Sequence, residues 1–326
     1  MIARVLERAG GGYVRPLDPQ RDLEPLADLI ESAFGEELAL TSSPMVRDMR
    51  QMALLGPLLW VAGAAVHLFS GYVWIEDGQL VGNISLTEDR EPGTWNISNV
   101  AVLPAYRGRG IAGQLLDVAL AHVRQRRGRR ILLQVRADNA PALALYTHRG
   151  FTIFDTVHEL DLPFHAWPVV LGISPALRRL RPSDARPLLH LILASTPPAV
   201  LRHRPSLLDA YRRGVWDRVG QWLQMAFNSR ERWEWVAPWG KELVGYGLLT
   251  AKLPNGPHEV ELHVRPDQRG LWELPLAEAL LHTALHLPRQ HVRAYISASH
   301  PEALHALHRL GFKTLRVLAQ MVLELG

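Results

Sequence analysis

The sequence predicts an α/β protein of the α+β kind, a mixed sheet flanked by helices, present in two tandem copies. Three observations carry this prediction. The 326 residues exceed what one hydrophobic core comfortably supports, since cores stop growing near roughly 250 residues. Four short matches recur in the same order at nearly constant spacing. Within the first copy, a hairpin signal precedes alternating strand and helix patterns, the order that builds a sheet with helices on its faces.

The repeat comes first, because missing it misreads the whole fold. Arg15-Pro16-x-Asp18 returns as Arg181-Pro182-x-Asp184, an offset of 166. Leu80-Val81-Gly82 returns as Leu243-Val244-Gly245, an offset of 163. Val102-x-Pro104-x-x-Arg107-Gly108 returns as Val264-x-Pro266-x-x-Arg269-Gly270, an offset of 162, and Gly150-Phe151 as Gly311-Phe312, an offset of 161. A period near 160 is a whole domain. The expected domains are 1–165 and 176–326, joined through Pro163 to Pro175.

In the first copy, Tyr13 to Arg15 reads as a strand. Pro19 to Phe34 reads as a helix with apolar positions Leu23, Leu26, Ala27, Ile30 and Phe34. A second helix starts near Ser43, whose Pro44 suits a first helical turn. Gly71 to Glu76 and Gln79 to Thr87 flank Asp77-Gly78, a hairpin turn signal. Thr94 to Leu103 is a strand, Ala112 to Arg126 a helix and Ile131 to Arg136 a strand. Pro141 to Arg149 is a helix ended by Gly150. Phe151 to Asp155 and Val157 to Leu162 are the last strands of the copy.

Composition narrows the function. At 48% hydrophobic and 21% charged the chain is ordinary globular material. With no cysteine, a disulfide scaffold, a thiolate metal site and a cysteine nucleophile are excluded. The net charge of +4 divides into 16 basic and 19 acidic residues before position 171, and 20 and 13 after it. The dense run Arg124 to Arg130 closes a helix, where cations are favoured, so no nucleic-acid partner is expected. The start of the chain lacks an apolar leader core. Ala53 to Val66 is shorter than the ~20 residues of a spanning helix and holds Gly56, Pro57 and Gly63, so no membrane span is expected either. The expected location is the cytoplasm. The fifteen histidines are scattered, and His282 and His286, at helical i,i+4 spacing, have no third ligand beside them, so no metal is expected.

The chemistry is concentrated where the strand ending at Leu103 meets the next helix. Arg107-Gly108-Arg109-Gly110-Ile111-Ala112 fits Gln/Arg-x-x-Gly-x-Gly/Ala. Glycines let a backbone turn tightly and bring N–H groups close to an anion, and the helix adds unsatisfied amides and its positive end. Arg107 and Arg109 offer charge-assisted contacts. A plain tight connection explains the glycines equally well. The second segment runs from Asp138 to Phe151. Asn139, Ala142, Leu145, Tyr146, Gly150 and Phe151 fall on Asn-x-x-Ala-x-x-Leu-Tyr-x-x-x-Gly-Phe.

Together the two segments resemble the GCN5-related N-acetyltransferase (GNAT) superfamily, closely over Val100 to Phe151 and in element order over Tyr13 to Leu162. The resemblance implies two acyl-CoA N-acyltransferase-like domains and direct transfer of an acetyl group from acetyl-CoA to an amine. It puts the CoA pyrophosphate on Arg107, Gly108, Arg109, Gly110, Ile111 and Ala112, and the pantetheine arm along Ala101 and Val102, with Asn139 in the same cofactor site. Tyr146 matches the tyrosine that protonates the departing thiolate. A phenol, with an unperturbed pKa of ~10, outlasts a thiol at ~8.5 as an acid. Core packing is the other role open to Tyr146. The acceptor implied is a small-molecule or peptide amine.

Many relatives carry a Glu on the strand where this chain has Asn96. The Leu-x-Val-Arg-x-x-Asn run resembles bacterial enzymes that acetylate protein N-terminal amines. Those carry Glu where this chain has Gln134, and paired tyrosines where it has Val157-His158-Glu159. Glu88, Asp89, His158 and Glu159 are the remaining candidates for a base. In the second copy Arg109 becomes Leu271, Gly110 becomes Trp272, Ile111 becomes Glu273 and Ala112 becomes Leu274. Asn139 becomes His300 and Tyr146 becomes Leu307. An indole blocks backbone approach and a carboxylate repels phosphate, so the second copy is expected to be degenerate. Completing the acceptor pocket, docking the first domain and forming a homodimer are the roles left to it. Trp216, Trp222, Trp233, Trp235 and Trp239 are assigned to core packing, with an acceptor-facing role as the alternative.

Overall fold

The computed structural model describes residues 11–41, 70–169, 172–211, 230–252 and 256–326, together with 6, 7, 46 and 50. Most of the helix expected from Ser43, the apolar stretch Ala53 to Val66, Trp216 and Trp222 lie outside the described residues. The chain forms two compact units. The first comprises Met1–Gln134, Pro141–Thr152 and Met321–Gly326, and the second Val135–Ala140 and Ile153–Gln320. These units do not coincide with the halves 1–165 and 176–326, because each takes in a strand encoded in the other half.

In the first unit, β1 (Leu6–Glu7), β2 (Gly12–Pro16), β3 (Gly71–Glu76), β4 (Gln79–Glu88), β5 (Thr94–Val102) and β6 (Arg130–Arg136) are neighbours in chain order. All pairings are antiparallel except the parallel β5–β6 pair. The β3–β4 turn has φ of 51° at Asp77 and 77° at Gly78, as a two-residue hairpin requires. Helix α1 (Pro19–Thr41) buries Leu26, Ala27, Leu29 and Ile30 against Val73, Ile75, Leu80 and Ala101. It runs a further two turns beyond the predicted end at Phe34. Helix α2 (Ile111–Gln125) buries Ile111, Leu115, Leu116, Ala119, Leu120 and Val123, an i, i+4, i+5 stripe. Buried Asp22, accepting from Arg15 at 2.5 and 2.7 Å and from the Asp18 N–H at 2.7 Å, ties β2 to α1. Helix α3 (Ala140–Thr147) follows β6. The last residues of the chain complete this unit beside β6, with the Leu325 N–H on the Arg129 carbonyl at 2.7 Å.

The second unit contains β7 (Thr152–Leu162, from Ile153 onward), β8 (Arg178–Arg179), α4 (Ala185–Ser195), α5 (Pro198–His203), β9 (Arg230–Trp239), β10 (Glu242–Lys252) and β11 (His258–Val264). It continues with α6 (Glu273–Ala284), β12 (Val292–Ser297), α7 (Pro301–Arg309) and β13 (Lys313–Glu324, to Gln320). Its strand order is β13-β7-β12-β11-β10-β9-β8. Strand β7 pairs antiparallel with β12, from Leu162↔Val292 to Val157↔Ser297. It is continuous where the sequence predicts two strands. Thr156 does not interrupt it, because its carbonyl takes the Ala298 N–H at 2.7 Å. Trp233 and Trp235 pack against the core of this unit, whereas Trp239 is 60% exposed. Among the described residues, no helix is long and apolar enough to cross a membrane.

Candidate active site

Strand β5 is bent where the chemistry begins. Asn99 has a φ of 51°, and the register with β4 slips there: Asn83 faces Ala101 and Ser85 faces Ser98. Asn99 and Val100 therefore oppose Ile84 alone, which is a β-bulge. Fully buried Asn83 fixes it by donating Nδ2–H to the Asn99 carbonyl at 2.9 Å. On the other edge, β5 pairs with β6 from Thr94↔Arg130 to Ile97↔Leu133 among the described pairs. Past Ile97 that ladder stops. The backbone from Asn99 to Val102, which includes the buried Ala101 and Val102, is left an edge on which an extended ligand can pair.

That edge runs straight into a one-turn 3₁₀ helix, Pro104–Tyr106, and then into the glycine turn. Gly108 and Gly110 have φ of 77° and 78°, a region other residues enter only with strain. A Cβ on Gly108 would meet nothing within 4 Å, so the space above it is open. Gly110 is the N-cap of α2 and no side chain caps the helix. The amides of the first turn have no intrahelical acceptor, and the positive end of the helix dipole lies among them. Ile111 is buried and points its side chain inward, leaving its backbone to the turn. Both arginines are exposed at the rim. Arg107 donates Nε–H to the Val102 carbonyl at 3.1 Å, and Arg109 donates to Glu76 and to the Ala105 carbonyl, each at 3.1 Å. The Arg109 guanidinium lies 4.8 Å from the centre of the Tyr106 ring. Backbone amides, a helix end and two arginines are the kind of donors that an anion such as a diphosphate requires.

Tyr146 lies on α3 at 5% exposure, edge-to-face with Phe151 at 5.8 Å. Burial pushes its phenol up to about 12, so it holds its proton at neutral pH. Arg149, just past α3, donates to Asp117 of α2 at 2.7 and 3.1 Å and covers Gly113, where a Cβ would come within 2.7 Å of its guanidinium. This clamp crosses over a glycine in the first turn of α2 and ties the end of α3 to α2. Asn139 is exposed and donates its N–H to the Arg136 carbonyl at 3.0 Å. It falls in Val135–Ala140, the short segment grouped with the second unit.

The base candidates separate sharply. Asn96 donates Nδ2–H to Asp89 Oδ2 at 2.9 Å. The other Asp89 oxygen takes the Glu91 N–H at 3.2 Å, and the Asp89 N–H reaches the Thr94 carbonyl at 2.8 Å. Trp95 faces α2, stacked edge-on to His122 at 5.5 Å, so alternation puts Asn96 on the opposite face. The residue standing where relatives carry Glu thus holds a carboxylate supplied by Asp89. Sequence spacing gives no sign of this, since the two lie on either side of a strand connection. Glu88 and Gln134 are exposed. Glu159 lies in the second unit at 0% exposure, paired with Arg316 at 2.5 Å and Arg293 at 3.7 Å. Those cations hold it in the interior of the second unit. His158 is half-buried in the same strand.

The second copy of the turn has a different build. Gly270 keeps a positive φ of 84°, but Trp272, at the N-cap of α6, has a φ of −113° where Gly110 has 78°. The Gly270 N–H is taken at 2.8 Å by the carboxylate of Glu273. Strands β10 and β11 pair from Gly245↔Val264 to Thr250↔Glu259 without a register slip, so the bulge of β5 has no counterpart.

Residues 37–151 match the family model described as Acetyltransferase (GNAT) family. The chain carries a domain of the GNAT family. Its fold along nearly the whole length is that of tandem GNAT proteins: 97% of the chain superposes on 99% of a tandem GNAT protein from the clavulanic acid biosynthesis pathway, with a TM-score of 0.58 at 17% identity. Among curated proteins, a mycothiol acetyltransferase of Corynebacterium glutamicum is 33% identical over 87 residues, 27% of this chain and 30% of that protein. The peptidyl-lysine N-acetyltransferase YiaC of Escherichia coli is 34% identical over 103 residues, 30% of this chain and 64% of that protein. The match thus spans under a third of the first relative's length and just under two thirds of the second's.

Proposed function

We propose that this chain is an N-acetyltransferase that moves the acetyl group of acetyl-CoA to a primary amine by direct attack within a ternary complex. The observation that carries the reading is the continuity of an unpaired, bulged β5 edge with an uncapped glycine turn. A pantetheine arm would pair along Asn99 to Val102, and the diphosphate would sit on the amides of Gly108 to Ala112 with Arg107 and Arg109 at its rim. Asp89, held by Asn96, accepts a proton from the incoming ammonium. The neutral amine adds to the thioester carbonyl, whose developing oxyanion is met by backbone N–H groups of β5. Collapse breaks the carbon–sulfur bond, Tyr146 gives its proton to the departing thiolate, and the proton shed by the acylated nitrogen restores the phenol. The second unit takes no part in donor binding on this reading, because Glu273 fills its turn with an internal anion.

The acceptor class is a small-molecule or peptide amine, which is what the names of the two relatives span. The test is acetyl-CoA-dependent thiol release across a panel of amines, combined with calorimetry of acetyl-CoA binding. A second reading, an acyl-CoA sensor without turnover, is favoured by Asn96 in place of Glu. Binding without thiol release on any amine would select it.

A further inference from the structure

We propose that the second unit binds a divalent transition-metal ion between Glu273, His300 and Glu302. One ligand atom from each of the three residues lies within 4.8 Å of the others. Glu273 is 1% exposed and His300 7%, and their Oε1 and Nε2 atoms are 2.8 Å apart. The other Glu273 oxygen is held by the Gly270 N–H, so the side chain is fixed before any ion arrives. Glu302 supplies a separate observation. Its Oε2 is shut off from solvent and accepts no hydrogen bond among the described residues. A buried carboxylate oxygen without a donor is costly, and an ion beside it removes that cost.

The surroundings suit a cation. Glu273 and Glu302 lie in the first turns of α6 and α7, so both carboxylates are carried on helices. Two carboxylates balance a charge of 2+, and the imidazole offers a nitrogen ligand. A ligand set containing an imidazole favours zinc, cobalt or manganese over magnesium and calcium, which prefer all-oxygen shells. Three protein ligands leave coordination positions open, and the site borders a cavity of about 310 Å³ lined by Gly270, Glu273, Leu274, Glu302, His305 and Arg309. The repeat pairs Glu273, His300 and Glu302 with Ile111, Asn139 and Pro141, none of which could replace them as a ligand set. The first copy is therefore an internal control. Where its turn is built for an anion, the same turn in the second copy is built for a cation.

The experiment titrates the full-length, chelator-treated chain with Co²⁺ and Zn²⁺, reading calorimetry and the visible absorption of bound cobalt. One ion per chain is expected. Glu302→Gln, which keeps shape and removes charge, and His300→Asn, which restores the first copy's residue, should each weaken binding beyond the roughly 10–100-fold typical of a lost outer-shell partner. Thermal melts of the metal-free variants check that both fold, and Glu302→Gln carries the test if His300→Asn does not. Absence of binding by the wild-type chain would overturn the proposal, leaving Glu273 and His300 an ion pair. Binding unchanged in Glu302→Gln would overturn it equally, since the ion would then sit on other histidines.

Discussion

At the scale of single residues, the proposed reaction rests on one hydroxyl and one carboxylate. Tyr146→Phe keeps the ring against Phe151 and deletes the hydroxyl, so the acetyl-CoA dissociation constant should stay within a few-fold. Turnover should fall on the order of 10²-fold, the scale of a lost general acid. Because burial lifts the phenol to about 12, its proton is present at all ordinary pH values. The rate of the wild-type enzyme should therefore rise as pH increases and the amine loses its proton, then level off. A rate profile that turns down between pH 8 and pH 10 would assign the alkaline limb to a group other than Tyr146. Asp89→Asn leaves the hydrogen bond to Asn96 available while removing the charge. Turnover is expected to drop by roughly 10²–10⁴-fold with donor binding intact, measured by steady-state thiol release. The turn at Gly108 and Gly110 and the helix that carries Tyr146 were legible in the sequence because both are local. The Asp89–Asn96 pair was not, because a carboxylate carried to a strand from the preceding turn leaves no periodic mark.

At the scale of elements, the turn between β5 and α2 is where the two copies diverge. Gly110→Trp copies the second unit's residue into the first. It puts an indole at a φ of 78° and over the amides, so acetyl-CoA binding should become undetectable by calorimetry. A non-glycine residue in the left-handed region costs about 1–2 kcal/mol, a loss a melt would register without unfolding the chain. Gly110→Ala shares the strain but not the bulk, and its affinity should lie between the two. Strands β3 to β6 and helix α2 of the first copy were legible to within a residue or two from alternation and the Asp77-Gly78 turn, whereas the end of α1 and the continuity of β7 were not. The bulge at Asn99 was not. Its signal is a single left-handed residue, and an asparagine in a strand reads the same whether it is bulged or paired.

At the scale of the molecule, the presence of two units was legible and their composition was not. Strand β7 and the end of β13 have the same alternating pattern and would fit beside either β6 or β12, so no periodicity chooses between them. Deleting Met321–Gly326 removes Met321 and Val322, buried at 0% and 3%, together with the Leu325 N–H bond to Arg129. At ~1.5–3 kcal/mol for each buried side chain, the loss is a large share of a domain's stability. The truncated chain should melt lower and bind acetyl-CoA more weakly, although the missing segment lies some 200 residues from the glycine turn in sequence.

The same exchange governs the order in which the protein can be made. Domains usually close as they leave the ribosome, N-terminal first. Here the first unit lacks its closing strand until Met321–Gly326 has been made, so through the synthesis of Ile153–Gln320 one flank of β6 stays unpaired, an invitation to pair with another nascent chain. The two halves cannot mature one after the other. A chain cut short between β12 and Met321 would leave the first unit without its closing strand.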